Sequence, residues 1–136
     1  MSEIKTFPPS KEGPFSKHLN FDAKMNELHE VVTTLAIEPY HLNVKGLVHG
    51  GVIATMVDNI IGDTIATTTG CSVVTINLSI NYLASVKGDA TLLAKATILQ
   101  LGYKIATAEG TIVDKEGNLI AKGTGTFKIF RPKKEE

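Results

Sequence analysis

Two adjacent glycines, Gly50 and Gly51, begin an apolar helical run, and residues of this type at a helix start could bind an anion. Glycine lets a ligand approach the backbone closely, and the first N–H groups of a helix are unpaired donors at the favourable end of the helix dipole. Such a helix start predicts a site for an oxyanion or a phosphate. Asn43, in the loop before the helix, could donate its side-chain amide to the same oxyanion.

Asp58 is the one carboxylate near the middle of this run, among apolar neighbours that leave little room for a solvated face. A partly desolvated carboxylate could act as a general base or as a nucleophile. Asp58 lies eight residues after Gly50, or about 12 Å along the axis, too far to act on a group bound at its own helix start. Two such helices packed antiparallel across a two-fold axis would bring each Asp58 near the partner's Gly50. We therefore predict a homodimer as the minimal unit, with two identical shared sites.

Further candidate residues lie before the helix and in the strands that follow it. Thr75 is expected near a reactive water, in a run where polar residues alternate with apolar ones; this polar row fits an exposed strand face as well as an interface or a pocket wall. His49 is expected to have a structural role at the helix start. Lys104 and the basic tail over 131–134 could hold a nucleotide phosphate, with Lys104 the better candidate, although solvated side chains are the simpler interpretation. The substrate-binding candidates are His49, Gly51, Asn77 and Lys104.

Hydrophobic periodicity predicts the elements that position these residues. An amphipathic helix is expected over 15–30, and a buried helix over 50–69 is expected to end at Gly70. Strands are expected at 31–37, 73–82, 89–101, 104–113 and 119–130, the last four as an antiparallel meander. Gly123 and Gly125 leave one face of the last strand almost bare, with room for the buried helix. The prediction is an α+β hotdog fold, an antiparallel sheet of five to six strands wrapped around one long central helix.

Length and composition restrict the class of protein further. A chain of 136 residues suits one domain, predicted over 15–136 after an irregular segment over 1–14. The 14 basic and 14 acidic side chains balance, which argues against a nucleic-acid partner, and no apolar run is long enough to span a membrane. No histidine pairs with other ligand types at metal-binding spacing, so no metal is expected. Cys71 is alone, and the expected compartment is the cytosol, with the mitochondrion as the alternative.

The order of these motifs resembles a known family. Asn43, the His-Gly-Gly at 49–51 and Asp58 are followed by Asn-Leu-Ser-Ile-Asn-Tyr at 77–82 and a closing strand over 120–127. This series is similar to the hotdog-fold acyl-CoA thioesterases of the phenylacetate-pathway (PaaI) type, and within them to the animal acyl-coenzyme A thioesterase 13 group. The resemblance runs from about Asn43 to Phe127, which is most of the chain.

The resemblance implies hydrolysis of acyl-CoA to a free acid and CoA, with no cofactor beyond the CoA of the substrate. The Gly50 N–H and the Asn43 side chain would polarise the thioester carbonyl, and Asp58 of the facing chain would activate or orient water. Thr75 matches the position at which the family uses Ser or Thr to hold that water. Gly62 stands where related enzymes often have Ser or Thr, so Thr75 carries more of the proposed role. A homotetramer is expected on family grounds alone.

Two other functions stay open at this point. A hotdog hydratase or dehydratase would act on the same thioesters, usually through a catalytic histidine paired with an acid. A non-catalytic module could bind or sense acyl-CoA in the same pocket. Release of free thiol separates hydrolysis from both. The sequence leaves open the acyl chain, the choice of dimer or tetramer, and whether Asp58 is a base or a nucleophile.

Overall fold

The computed structural model describes residues 13–132, in which a six-stranded antiparallel sheet wraps around one long helix. This is the predicted α+β hotdog architecture. Most of the predicted irregular segment over 1–14 lies outside the described residues. The elements, in chain order, are α1 (Pro14–His18), β1 (Asp22–Met25), β2 (Val31–Ala36), a short 3-10 turn (Pro39–His41), α2 (Gly50–Thr69), β3 (Ser72–Tyr82), β4 (Thr91–Leu101), β5 (Ile105–Asp114) and β6 (Leu119–Phe130).

Helix α2 has the bounds that the sequence predicts. His49 caps its start, because the Nδ1 atom accepts a hydrogen bond from the Gly51 N–H at 2.8 Å. Gly70 ends it in the left-handed conformation, with φ at 68°, and donates its N–H to the Ala66 carbonyl. Between these caps the helix is buried on several faces, as expected of a helix at the centre of a domain.

The strands lie in the order β1-β2-β4-β5-β6-β3. Strands β4, β5 and β6 form the predicted meander, but β3 does not lie beside β4. It pairs instead with β6 at the far edge of the sheet, so the expectation of a four-strand meander is wrong. Alternation of polar and apolar residues identifies a strand without identifying its neighbours, and that is the physical reason for the error.

The predicted amphipathic helix over 15–30 is also wrong. Helix α1 ends at His18, and Asn20 takes a left-handed conformation with φ at 65° before the chain enters β1. Strand β1 pairs with β2 and buries Ala23, and the turn between them is closed by the Asn26 side chain. The apolar residues of this segment match helical spacing by coincidence, since tertiary pairing overrides a weak local preference. The strand predicted at 31–37 is present as β2.

The sheet approaches α2 closely at the two glycines of β6. A Cβ atom added at Gly123 would lie 2.8 Å from Val57 Cγ1, and one added at Gly125 would lie 3.2 Å from Ile61 Cδ1. The bare strand face therefore receives the helix, as the sequence predicts. No helix within residues 13–132 is long and apolar enough to cross a membrane.

Candidate active site

The two glycines at the start of α2 have different roles. The Gly51 N–H donates to the His49 cap, which makes His49 structural, as expected. No acceptor among residues 13–132 is assigned to the Gly50 N–H, whereas the next N–H groups, of Val52 and Ile53, bond to the His49 carbonyl. The Gly50 amide is therefore the donor of this turn that is available to a ligand.

Steric surroundings separate the same two residues. A Cβ atom at Gly51 would lie 3.0 Å from His49 Nδ1, which is tight, so the cap itself favours glycine there. A Cβ atom at Gly50 would lie 3.6 Å from the Tyr82 ring, an ordinary van der Waals contact. Packing within this chain leaves room for a side chain at Gly50, so a ligand or a second chain is the better reason for its absence.

Asn43 shapes the loop before the helix. Its Oδ1 accepts hydrogen bonds from the Lys45 and Leu47 N–H groups at 2.9 and 3.1 Å. The side-chain oxygen is thus occupied within the loop, and the Nδ2 group is the part of Asn43 that could donate to a ligand.

His41 anchors this loop from inside the protein, a role that the sequence did not reveal. Its side chain is fully buried, Nδ1 accepts from the Glu38 N–H at 2.8 Å, and Nε2 lies 2.6 Å from the Leu19 carbonyl. Because Nδ1 accepts, these bonds assign the ring proton to Nε2. The His41 carbonyl in turn accepts the His49 N–H at 2.9 Å, so the histidine ties the loop and the helix start to the segment after α1.

Asp58, on α2, and Thr75, on β3, lie together about two helical turns after Gly50. The Thr75 hydroxyl donates to Asp58 Oδ1 at 2.7 Å, and the half-buried carboxylate borders an open groove of about 340 Å³. Phe127 also lines the groove. A Cβ atom at Gly62 would lie 3.0 Å from the Phe127 ring, so this packing favours glycine at the position where related enzymes often have Ser or Thr.

A bulge in β3 makes the contact between Thr75 and Asp58 possible. Thr75 pairs with Phe127 and Asn77 with Thr126, so Ile76 is an extra residue on β3. Thr75 therefore shares the helix-facing side with Leu78, while Asn77 is on the outer side with Thr126. The predicted strict alternation, which grouped Thr75 with Asn77, is wrong for this strand because it assumes an unbroken period of two. The structure brings Thr75 to Asp58 and takes Asn77 away from it.

Lys104 lies in the turn before β5 with an exposed side chain. It borders a groove of about 420 Å³ with Lys128 and Arg131. Arg131 is the better held cation: its Nε donates to the Tyr103 carbonyl at 2.8 Å, and its guanidinium lies 5.0 Å from the centre of the Tyr103 ring. The sequence favoured Lys104 over the tail cations; Lys133 and Lys134 lie outside the described residues.

Within one chain, the candidate groups form two separate halves. The Gly50 amide and Asn43 lie at the start of α2, and Asp58 with Thr75 lies two turns further along. Tyr82, at the end of β3, touches the first half through a hydrogen bond from its hydroxyl to the Gly50 carbonyl at 2.9 Å. No cluster of three or more His, Cys, Asp or Glu side chains that could hold a metal ion occurs in the described part of the chain.

Comparison with known proteins identifies the family. Residues 45–121 match the thioesterase superfamily. Human acyl-coenzyme A thioesterase 13 is 33% identical over 101 residues, which cover 71% of this chain and 71% of that protein. A hypothetical thioesterase of Streptococcus pneumoniae, solved with coenzyme A, is 32% identical with a TM-score of 0.74 and covers 81% of this chain and 88% of that one. It was also solved as an aspartate-to-alanine and as a threonine-to-alanine variant.

The fold comparison agrees with the family. The Escherichia coli PaaI protein of the phenylacetic acid degradation operon superposes with a TM-score of 0.81 at 21% identity, over 90% of this chain and 88% of that one. The chain thus has the hotdog fold that PaaI also has. It belongs to the thioesterase superfamily, and it is a thioester hydrolase.

Proposed function

We propose that this protein is an acyl-CoA thioesterase, which hydrolyses acyl-CoA to a free acid and CoA at a site shared by two copies of the chain. The observation that carries the proposal is the hydrogen bond from Thr75 to Asp58 at the edge of an open groove, a carboxylate held ready to act on water. The relative from Streptococcus pneumoniae, whose variants replace the same two residue types, binds coenzyme A in its crystal structure.

Strand β3 supplies the argument for a second copy. It is an eleven-residue edge strand without a charged side chain, and its Val74 and Ile76 are 48% and 55% exposed. Long, uncharged edge strands pair with other strands unless something covers them. We therefore propose that β3 pairs antiparallel with the same strand of the partner, which continues the sheet through a two-fold axis.

This pairing would join the two halves of the site. Thr75 contacts Asp58 near one end of β3, and Tyr82 contacts Gly50 at the other end. In an antiparallel pair, Thr75 faces the partner's Tyr82 across about 4.8 Å. Each Asp58 then approaches the partner's Gly50.

The bulge at Ile76 supports the same pairing. Thr75 and Tyr82 are seven residues apart, an odd number that would place them on opposite faces of a regular strand. The extra residue returns both to the helix-facing side. Residues that lie opposite each other in an antiparallel pair must share one side of the sheet, so Thr75 and the partner's Tyr82 can then face each other. Without the bulge, the proposed halves would face opposite sides of the sheet.

The proposed mechanism uses each half in turn. The Gly50 N–H and the Asn43 Nδ2 group donate to the thioester oxygen, and a lost donor of this kind typically costs about 3 kcal/mol. The carboxylate of Asp58 takes a proton from water as the water attacks, or attacks the carbonyl itself. Thr75 orients the carboxylate by donating to Oδ1, and its hydroxyl oxygen can still accept from the water. On the first route, the tetrahedral intermediate collapses and expels the CoA thiolate, which takes up the proton held by Asp58. On the second route, loss of CoA leaves an acyl–Asp58 anhydride, and water then hydrolyses this anhydride to the free acid.

The other residues that the sequence predicts for the site have supporting roles in the proposal. His49 and Gly51 build the cap that leaves the Gly50 amide available, and they border the bound thioester. Lys104, together with Lys128 and Arg131, offers positive charge for the CoA phosphates. Asn77 stays a prediction as a substrate contact, since it lies on the outer side of β3. A tetramer built from two such dimers also stays a prediction.

The alternatives have less support. A hydratase of this fold usually needs a histidine aimed at the substrate, whereas His49 Nδ1 is occupied by the Gly51 N–H. A module that only binds acyl-CoA has no need of a hydroxyl bonded to a carboxylate beside the groove. No observation favours either over hydrolysis.

Thiol release tests the activity, and a panel of aryl, short-chain and long-chain acyl-CoAs would define the acyl group. We expect Asp58→Ala to abolish turnover while the dimer stays folded. Undiminished hydrolysis by this variant would contradict the assignment of Asp58.

Mixed dimers test the shared site. Co-refolding inactive Asp58→Ala with inactive Gly50→Ala gives mixed dimers in half of the cases, each with one intact site of two, so about a quarter of wild-type activity should return. Gly50→Ala is a suitable partner variant because its Cβ makes only an ordinary contact with Tyr82. If each chain held a complete site, no activity would return.

A further inference from the structure

We propose that Tyr82 is a positioning residue for the Gly50 N–H, an inference that rests on the proposed function. The Tyr82 hydroxyl donates to the Gly50 carbonyl at 2.9 Å. Its ring packs beside the Gly50 Cα atom, with ring atoms 3.6 Å from the position that a Cβ atom would occupy. Tyr82 thus holds the residue whose amide would bind the thioester oxygen.

The peptide that carries the Gly50 N–H is fixed from both sides. On one side, the His49 N–H donates to the carbonyl of the buried His41 at 2.9 Å. On the other side, the Gly50 carbonyl accepts from Tyr82. The His49 carbonyl, which belongs to the same peptide as the Gly50 N–H, also accepts from the Val52 and Ile53 N–H groups of the helix. These bonds and the two flanking ones together define the direction in which the Gly50 N–H points, and Tyr82 supplies the one that comes from the sheet. Oxyanion stabilisation depends on such fixed directions, because a donor that must reorient loses part of its effect.

Tyr82 is itself well placed to act as a fixed support. Its backbone pairs with Ala121 of β6, and the next residue, Leu83, donates its N–H to the Ile120 carbonyl at 2.8 Å. Helix α2 begins on a loop, whereas Tyr82 belongs to the sheet. The hydroxyl therefore ties the helix start to the paired sheet, and the sheet edge that carries Tyr82 is the one proposed to meet the partner's Thr75.

Tyr82→Phe tests the inference, since it keeps the ring and removes the hydrogen bond. We expect kcat to fall about tenfold with KM within twofold, because a small misorientation at a reacting centre acts mainly on the transition state. The shape of the pH profile should not change, since Asp58 is untouched. Tyr40→Phe is the matched control: its exposed hydroxyl makes no hydrogen bond to the described residues. An unchanged kcat in Tyr82→Phe, or a fall that merely follows loss of the dimer, would overturn the inference.

A second measurement separates this inference from the proposed function. The backbone order parameter of the Gly50 amide, obtained from NMR relaxation, should fall in Tyr82→Phe and stay unchanged in Tyr40→Phe. If the wild type releases no thiol from any acyl-CoA, the proposed function fails, while a lower order parameter still shows that Tyr82 holds the amide. If the wild type is active and the order parameter is unchanged, the positioning role fails alone.

Discussion

The two edges of the sheet are built in opposite ways. Strand β1 is four residues long and carries Asp22 and Lys24, which form an exposed ion pair at 3.4 Å. Strand β3 is eleven residues long and carries no charge. Short, charged edge strands resist pairing with other chains, and long uncharged ones promote it. The β1 edge is therefore protected against pairing with another chain, and the β3 edge is open to it.

The proposed site lies at the unprotected edge. Thr75 and Tyr82 reach α2 from β3, and they meet the two residues on which the proposed reaction depends, Asp58 and Gly50. Strand β3 therefore has two proposed roles. It would pair with the partner, and its side chains would orient both halves of the site. A change that blocks pairing at β3 should therefore affect turnover even when it lies away from Asp58.

The largest effect is expected from Ser79→Lys, an exposed position near the middle of β3. Two such lysines would lie close together across the two-fold axis, and like charges in neighbouring strands repel. Sedimentation should show a monomer, and thiol release should fall to background.

Thr124→Lys is the matched control for that variant. Thr124 is paired with Ser79 on the same face but lies on β6, an interior strand. It should leave the dimer and its activity intact. A Ser79→Lys protein that is still dimeric and active would contradict the proposal that the β3 edge forms the dimer.

Thr75→Val should give the next largest effect. It keeps the shape of the side chain and removes the hydroxyl that holds Asp58, so kcat should fall by about 10- to 100-fold in steady-state assays. Thr75→Ser keeps the hydroxyl and should stay within a few-fold of the wild type. Equal activities of the Val and Ser variants would remove Thr75 from the mechanism.

Gly123→Ala tests how closely the β3 side of the sheet packs against α2. The new Cβ would lie 2.8 Å from Val57 Cγ1 and 3.0 Å from the Ser79 carbonyl oxygen of β3. Overpacking of this kind should lower the free energy of unfolding by about 1–3 kcal/mol in urea titrations. Gly50→Ala, which meets only an ordinary contact, should be much closer to the wild type; equal losses would show that the sheet relaxes around Gly123.

The smallest effect belongs to the protected edge. Lys24→Ala removes the ion pair with Asp22, in which both side chains are more than half exposed. Such pairs contribute little, so the free energy of unfolding should change by no more than about 0.5 kcal/mol, with turnover unaltered. Dimer loss in this variant would reveal that β1 also takes part in assembly.

The parts of the fold with strong local signals could be predicted from sequence. Helix α2 has a capping histidine, a terminating glycine and nearly continuous apolar residues, and β6 has clear alternation around Gly123 and Gly125, so both were predicted with the observed bounds. The segment at 15–30 carries weaker signals. Its apolar spacing fits a helix, but pairing of β1 with β2 decides its structure, and such long-range contacts leave no local pattern.

The candidate site likewise has parts that the sequence predicts and parts that it does not. Asp58 and Thr75 are each predicted as site residues from residue types and resemblance, but their hydrogen bond is not, and the bulge at Ile76 that permits it has no glycine or proline to mark it. Tyr82 is not among the predicted site residues, because a sequence does not show which group a tyrosine hydroxyl contacts. His41 is not among them either, although its buried ring supports the loop.

The placement of His41 makes the proposed site depend on the first residues that the structure describes. The Leu19 carbonyl accepts the hydrogen bond from the His41 ring, and the Ser16 hydroxyl accepts one from Asn59, the neighbour of Asp58. A protease cut or a tag that dislodges this short stretch would loosen both halves of the proposed site at once, although the proposal gives none of its residues a contact with the substrate. Engineered versions should therefore keep residues 14–20 in place.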